Sequence, residues 1–245
     1  MQDIIEGRNP VIEILKSGRD INKLLVANGA KEGAIKKIIG MAKDKGIVIQ
    51  YVDRKKLDHV SEIGNHQGVI AYVAAHEYAD MDTVLDEIEA RGEKPFVLVL
   101  DEISDPHNLG SILRTADSSG VNLVIIPKRR AVGLTAAVAK TSAGAIEYVP
   151  VAKVTNIANT IEKLKERNIW VYGADMNGDS YFNTDLTGSI AIVMGSEGKG
   201  ISRLVREKCD FIVSIPMGGN VTSLNASVAA SILMYEVVRQ KHGKK

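Results

Sequence analysis

Phe96-Val97-Leu98-Val99-Leu100-Asp101-Glu102-Ile103-Ser104-Asp105-Pro106-His107-Asn108-Leu109-Gly110-Ser111-Ile112-Leu113-Arg114-Thr115-Ala116 passes from an apolar run through a polar loop into a helix. The unbroken run reads as a strand buried on both faces, the pattern of a parallel sheet covered by helices. Asp105 offers a side-chain oxygen at the N-cap, and Pro106 fits the first helical position, where a missing N–H costs nothing. Leu109, Ile112, Leu113 and Ala116 then share the core face, leaving Ser111, Arg114 and Ser118 on the polar face and Asn108 at the entrance. Two readings of this segment stand side by side: a capped helix with a solvated arginine, or a helix that presents Asn108 and Arg114 to a ligand.

Downstream, apolar runs at Leu123 to Ile126, Ile146 to Val149, Ile169 to Tyr172, Ile190 to Met194 and Phe211 to Ile215 alternate with helical stretches. This predicts an α/β fold with a parallel sheet over residues 96–245. Ligands of such sheets bind at the carboxyl ends of the strands, which singles out the loops after Leu100, Met194 and Ile215. Gly195-Ser196-Glu197-Gly198-Lys199-Gly200 is not a Walker loop, since Ile201 stands where the lysine belongs, and its glycines do not follow the dinucleotide fingerprint. Glu197 would repel a pyrophosphate but suits a cationic ligand or a hydroxyl donor. The third loop runs from Ile215-Pro216-Met217-Gly218-Gly219 to Ser223-Leu224-Asn225, where either Ser223 or Asn225 can cap the last helix. That helix carries Val228, Ala229, Ile232, Leu233, Met234, Tyr235, Val237 and Val238 around most of its circumference, which predicts burial in a core or a subunit interface and so a homodimer.

Residues 1–75 read as a small α/β unit. It has a helix from Pro10, a strand at Lys23 to Ala27, a helix at Ala34 to Lys45, and strands at Gly46 to Val52 and Gly68 to Val73. Residues 76–95 read as an acidic linker holding a short helix, Met81 to Ala90. Net charge is +3 over residues 1–75, −5 over 76–95 and +3 over 96–245, within a total of +1. With 45% hydrophobic and 25% charged residues the chain can bury a core, and its balanced charge excludes a purely electrostatic phosphate binder. Cys209 is the only cysteine, which excludes an intramolecular disulfide and a multi-thiolate zinc site. No metal is expected. The start of the chain shows no basic leader with an apolar stretch, and no run approaches the ~18 apolar residues of a membrane span, so a cytoplasmic protein with no membrane partner is expected.

Asp105-Pro106-His107-Asn108-Leu109-Gly110 through Arg114-Thr115-Ala116, then Val193-Met194-Gly195-Ser196-Glu197-Gly198-Lys199-Gly200, then Ile215-Pro216-Met217 with Ser223-Leu224-Asn225-Ala226-Ser227 resemble, in this order, the three motifs of the SpoU (TrmH) family of RNA ribose methyltransferases. The opening Ile5-Glu6-Gly7-Arg8-Asn9-Pro10-Val11 resembles the small L30e-like substrate-binding domain of members that act on large-subunit ribosomal RNA. The resemblance implies a SPOUT-type catalytic domain at 96–245 with a C-terminal trefoil knot, preceded by an RNA-binding domain at 1–75. It implies transfer of a methyl group from S-adenosylmethionine to a ribose 2′-hydroxyl, with a guanosine in large-subunit ribosomal RNA as target. A transfer-RNA guanosine methyltransferase and a non-catalytic ribosomal-RNA assembly factor are the alternatives.

By the same resemblance, Arg114, Asn108, Glu197, Ser223 and Asn225 form the catalytic group, and Met194, Gly195, Gly198, Ile215, Met217, Leu224 and Asn225 bind the cofactor. A guanidinium has no acceptor while protonated, so Arg114 is assigned to binding RNA phosphate and stabilising charge on the ribose oxygen, not to removing the proton. Glu197 and Asn225 are expected to orient Arg114 or the ribose. The basic residues Arg8, Arg54, Lys55, Lys56, Lys128, Arg129 and Arg130 are expected to contact RNA; each cluster taken singly also reads as solvated surface.

Overall fold

Two sheets form from two sets of apolar strands, and the computed structural model describes residues 2–17, 21–30, 33–74, 76–220 and 223–243. Val221 and Thr222 of the third loop lie outside the described residues. The chain divides into one unit of Met1–Glu77 with Leu134–Tyr148 and a second of Tyr78–Gly133 with Val149–Lys245.

The first unit contains β1 (Gln2–Glu6), α1 (Arg8–Ser17), β2 (Ile21–Ala27), α2 (Ala34–Asp44), β3 (Ile49–Val52), α3 (Arg54–Val60) and β4 (Val69–Ala74). Its sheet has the order β1-β4-β2-β3, antiparallel except between β2 and β3. Val11, Ile14 and Leu15 of α1 and Ile35, Ile38 and Ala42 of α2 are buried at helical spacing. At the end of β1 the buried Glu6 carboxylate accepts hydrogen bonds from the N–H groups of Glu62 (3.0 Å) and Ile63 (2.8 Å) and from the Ser61 hydroxyl, so one charge closes the turn after α3.

The second unit contains α4 (Met81–Ala90), β5 (Phe96–Leu100), α5 (Pro106–Ser119), β6 (Leu123–Pro127), β7 (Val151–Val154), α7 (Ile157–Glu166), β8 (Trp170–Ser180), β9 (Ile190–Met194), α8 (Arg203–Lys208), β10 (Phe211–Ser214) and α9 (Ala226–His242), while α6 (Ala136–Thr141) falls in the first. The six strands run parallel in the order β10-β8-β9-β5-β6-β7. Phe96 to Leu100 are all fully buried, as a strand covered on both faces requires. At the start of α5 the Asp105 side chain caps the His107 N–H at 2.8 Å, with Pro106 at the first helical position. Gly120 ends that helix in the left-handed conformation, φ 72°.

Three boundaries differ from the sequence reading. Residues 76–95 are not a free linker, because Met81, Leu85 and Ile88 of α4 pack with Val97, Val99 and Leu123 in the core of the second unit. The acidic residues that suggested a linker lie on the outer face, where Asp82 and Asp86 hold Arg167 at 3.2 and 2.7 Å. Ile146 to Val149 is not a strand. Ala143 and Gly144 have φ of 52° and 96°, a short 3₁₀ turn follows at Ala145–Glu147, and the strand begins at Val151. A short apolar run fits a buried turn as well as a strand, and here Ile146 is buried with the first unit. The first unit is therefore discontinuous: Tyr148 donates its hydroxyl to Glu13 at 2.8 Å, and the Ser17 hydroxyl donates to Glu147 at 3.2 Å.

Replacing Leu85 with Ala should destabilise the second unit by about 2–5 kcal/mol, the range for emptying a buried leucine site. Urea unfolding would register this as a lower midpoint; an unchanged midpoint would return α4 to the status of a linker.

Candidate active site

Strands β5 and β9 pair with Leu100 opposite Met194, so Asp101 and Gly195 leave the sheet at the same edge. The Asp101 N–H donates to the Met194 carbonyl at 2.7 Å, and its buried carboxylate accepts from the Ser202 N–H, also at 2.7 Å. Residues 195–202 are thus tied at both ends to the tip of β5. Within the loop, Ser196 and Gly200 exchange backbone hydrogen bonds at 3.1 and 2.9 Å. A Cβ on Gly195 would lie 1.9 Å from the Gly200 carbonyl carbon, so only glycine permits this closure.

The closed loop presents Glu197 to two amides. Glu197 Oε1 accepts from Asn108 Nδ2 at 3.0 Å, from Asn225 Nδ2, and from the Ala226 N–H at 3.4 Å. Asn225 Nδ2 also reaches Asn108 Oδ1 at 2.9 Å, which closes a ring of three side chains from α5, the glycine loop and the start of α9. Asn225 Oδ1 meanwhile caps α9 through the N–H groups of Ser227 (2.9 Å) and Val228 (3.3 Å), so Asn225, not Ser223, is the N-cap. Glu197 Oε2 makes no hydrogen bond among the described residues.

Beside this ring lies a cavity of about 480 Å³, within the size range of small-molecule sites. Met194, Gly195, Gly198, Ile215, Met217 and Leu224 line it, together with Glu197 and Ser223. Asn225 does not; its side chain is spent on the ring and the cap. Ala174, Asp175, Met176 and Asn177 complete the wall. They come from β8, where pairing with β10 jumps from Gly173 to Asp179 between Ile212 and Val213, so the residues between leave the ladder. Sequence reasoning missed them, although the carboxyl-end rule applied equally to the strand Ile169 to Tyr172.

Arg114 stands on the exposed side of α5, lines neither this cavity nor its neighbour, and its guanidinium has no partner among the described residues. Arg8 is exposed and bonded to the Gln67 carbonyl through Nε at 3.2 Å. Arg54, Lys55 and Lys56 occupy the exposed first turn of α3, and Lys128, Arg129 and Arg130 follow β6 in the other unit, also exposed. Among the described residues, no group of three or more His, Cys, Asp or Glu is placed to hold a metal ion. Burial pushes the Cys209 thiol up to about 12, which withholds a thiolate from any chemistry near neutral pH.

A parallel α/β sheet with its cavity and polar ring at the carboxyl ends of β5, β8, β9 and β10 defines a ligand-binding domain of the SpoU class. Residues 95–235 match the SpoU rRNA methylase family, and residues 4–79 match the RNA 2′-O ribose methyltransferase substrate-binding family. The chain belongs to the SpoU methylase family. It is 56% identical over 241 residues to a protein of Bacillus subtilis named as the TrmH family tRNA/rRNA methyltransferase YacO, covering 98% of this chain and 96% of that one. The fold is similar to that of the SpoU methyltransferase AviRb from Streptomyces viridochromogenes in complex with AdoMet, with a TM-score of 0.83, 24% identity, and coverage of 99% of this chain and 91% of that one. It is likewise similar to an AdoMet-bound rRNA methyltransferase from Sinorhizobium meliloti, with a TM-score of 0.78, 21% identity, and coverage of 98% and 88%.

Gly195→Ala should cost about 1–3 kcal/mol as the overpacked loop opens. Urea denaturation would detect it, and wild-type stability would show that the contact with Gly200 is slack.

Proposed function

We propose that this RNA methyltransferase transfers the methyl group of S-adenosylmethionine to the 2′-hydroxyl of a ribose in large-subunit ribosomal RNA. The observation that carries the reading is the junction of the Asn108–Glu197–Asn225 ring with the cavity at the glycine loop. The apolar wall of Met194, Ile215 and Leu224 suits an adenine ring. Asp175 and Glu197 suit a cationic sulfonium with its ammonium group, and Lys199 suits the carboxylate. S-adenosylmethionine supplies an activated methyl group for in-line displacement. The loops at 195–200 and 215–220 would enclose it as the trefoil knot that the family resemblance implies.

The chain's own work is to place the acceptor. With Oε1 held by three N–H donors, Glu197 has a fixed carboxylate plane, and Oε2 is left to accept from the ribose hydroxyl. Asn108 and Asn225 position that carboxylate, and Ser223 adds a hydroxyl to the wall of the same cavity. The orienting role of Glu197 is therefore assigned to the ribose, since no contact between Glu197 and Arg114 is present among the described residues.

Arg114 stabilises charge on the ribose oxygen and binds the adjoining phosphate, and it does so in the site of a second copy. Its exposed position on α5 supports this, as does the adjoining α9, which contacts α5 through Thr115 and Ser231 at 3.0 Å and leaves Val228 and Tyr235 open to solvent. A homodimer across this face would cover both apolar side chains. The substrate-binding match at residues 4–79 supports RNA selection by the first unit, with Arg8 and Arg54-Lys55-Lys56 as its phosphate contacts and Lys128-Arg129-Arg130 as those of the second. Ribosomal RNA is favoured because the Sinorhizobium meliloti enzyme, named for that substrate, matches both units. The guanosine target follows from the family resemblance.

Calorimetry should show S-adenosylmethionine binding in preference to NAD and ATP; binding of either nucleotide alone would sink the proposal. Mapping 2′-O-methyl marks in cells with and without the protein should reveal one lost mark in large-subunit RNA, and a mark lost from transfer RNA instead would reassign the substrate. Arg114→Lys and Glu197→Gln should each lower methyl transfer at least tenfold, while a co-expressed mixture of the two variants recovers activity through one intact site per heterodimer. No recovery would place Arg114 in its own chain's site.

A further inference from the structure

A second cavity, of about 470 Å³, shares Ser196, Glu197 and Lys199 with the first and has Asn108 in its wall. Ser196, Glu197 and Lys199 therefore form a wall common to two chambers, both built from the second unit. Three carboxylates, Glu102, Asp105 and Glu197, line this chamber against two cations, Arg130 and Lys199. That excess of acceptors is unsuited to a phosphate and suited to a group rich in N–H donors. Asp105 is engaged with the His107 N–H and Glu197 Oε1 with the ring, which leaves Glu102 as the carboxylate whose side-chain partner is exchangeable. That partner is Arg130, 3.1 Å from Glu102 Oε1, with a side chain that is 81% exposed and so free to swing away.

The backbone supports a built position. Glu102 and Arg130 both adopt left-handed φ, 61° and 60°, which residues with a Cβ do uncommonly. Between them, the Val132 N–H donates to the Ile103 carbonyl at 3.0 Å and fastens the two loops together.

We infer that this chamber seats the base of the target nucleotide and that Glu102 reads it as guanine. The inference rests on the methyltransferase reading above. A carboxylate with two acceptor oxygens matches two adjacent donors, and among the four RNA bases only guanine offers them on its Watson–Crick edge, N1–H beside N2–H₂. Adenine and cytosine pair their amino group with a ring acceptor, which would face the carboxylate lone pairs, and uracil flanks one N–H with two carbonyls. On entry the guanine edge replaces Arg130 on Glu102, and the released guanidinium joins Lys128 and Arg129 for the RNA backbone.

The test uses the full chain saturated with S-adenosylhomocysteine and titrated separately with the 5′-monophosphates of guanosine, adenosine, cytidine and uridine. The Ile103 methyl signal in the chamber wall is followed by NMR. Guanosine monophosphate should shift that signal and saturate at a concentration at least fivefold below the other three. Glu102→Gln should erase the preference while binding S-adenosylhomocysteine within twofold of wild type. Equal response to all four nucleotides, no response of Ile103, or an intact preference in Glu102→Gln would each overturn the inference. Failure of the wild-type chain to bind S-adenosylhomocysteine would instead overturn the methyltransferase reading itself.

Discussion

The site depends on one backbone-to-backbone approach, that of Gly195 to Gly200. Because no Cβ stands between them, the loop folds back on itself through two hydrogen bonds and delivers Glu197 to a fixed place above the sheet. The Asp101 carboxylate then fastens the far end of the loop through Ser202. Separation of these strands would remove the cavity floor and the acidic member of the polar ring together.

What the loop delivers, the two neighbouring helices complete. The entrance of α5 supplies Asn108 and the cap of α9 supplies Asn225, so one amide both ends a helix and holds a carboxylate. This economy couples the start of the last helix to the polar ring: disturbance of the cap would also disturb the Glu197 carboxylate. Glu197 of the same ring lines both the cavity at the glycine loop and the chamber bounded by Glu102 and Arg130. The proposed donor and acceptor would thus meet beside side chains that are already hydrogen-bonded and have little rotational freedom left.

Much of this was legible in the residues. Buried strands such as Phe96 to Leu100 and Ile190 to Met194 carry an uninterrupted apolar signal, and the Asp105-Pro106 helix start is a local property that needs no tertiary context. The glycine loop was visible as an oddity because it fitted no phosphate-binding pattern. Less legible were features decided at a distance. The excursion of β8 depends on a register jump against β10, which no local pattern in residues 174–178 announces. The acidic composition of 76–95 concealed a buried stripe of Met81, Leu85 and Ile88, since charge on one helix face says nothing about the other. Ile146 was apolar in either reading, and only its neighbours' positive φ angles separate turn from strand. The location of Arg114 outside its own chain's cavity lining was equally invisible, because a helical period fixes a face and not what that face meets.

The interleaving of residues 134–148 with the first unit bears on how the chain is made. A protein emerging from the ribosome folds from its amino-terminal end as units become complete. Here the leading unit lacks its partners for Glu13 and Ser17 until Tyr148 and Glu147 have been synthesised, by which time the opening strands of the second sheet have already appeared. Nascent β5 and β6 already have α4 to pack against, but their strand neighbours β9 and β7 are still unmade while the first unit closes, an interval in which chaperone capture of the open sheet edges would be most valuable.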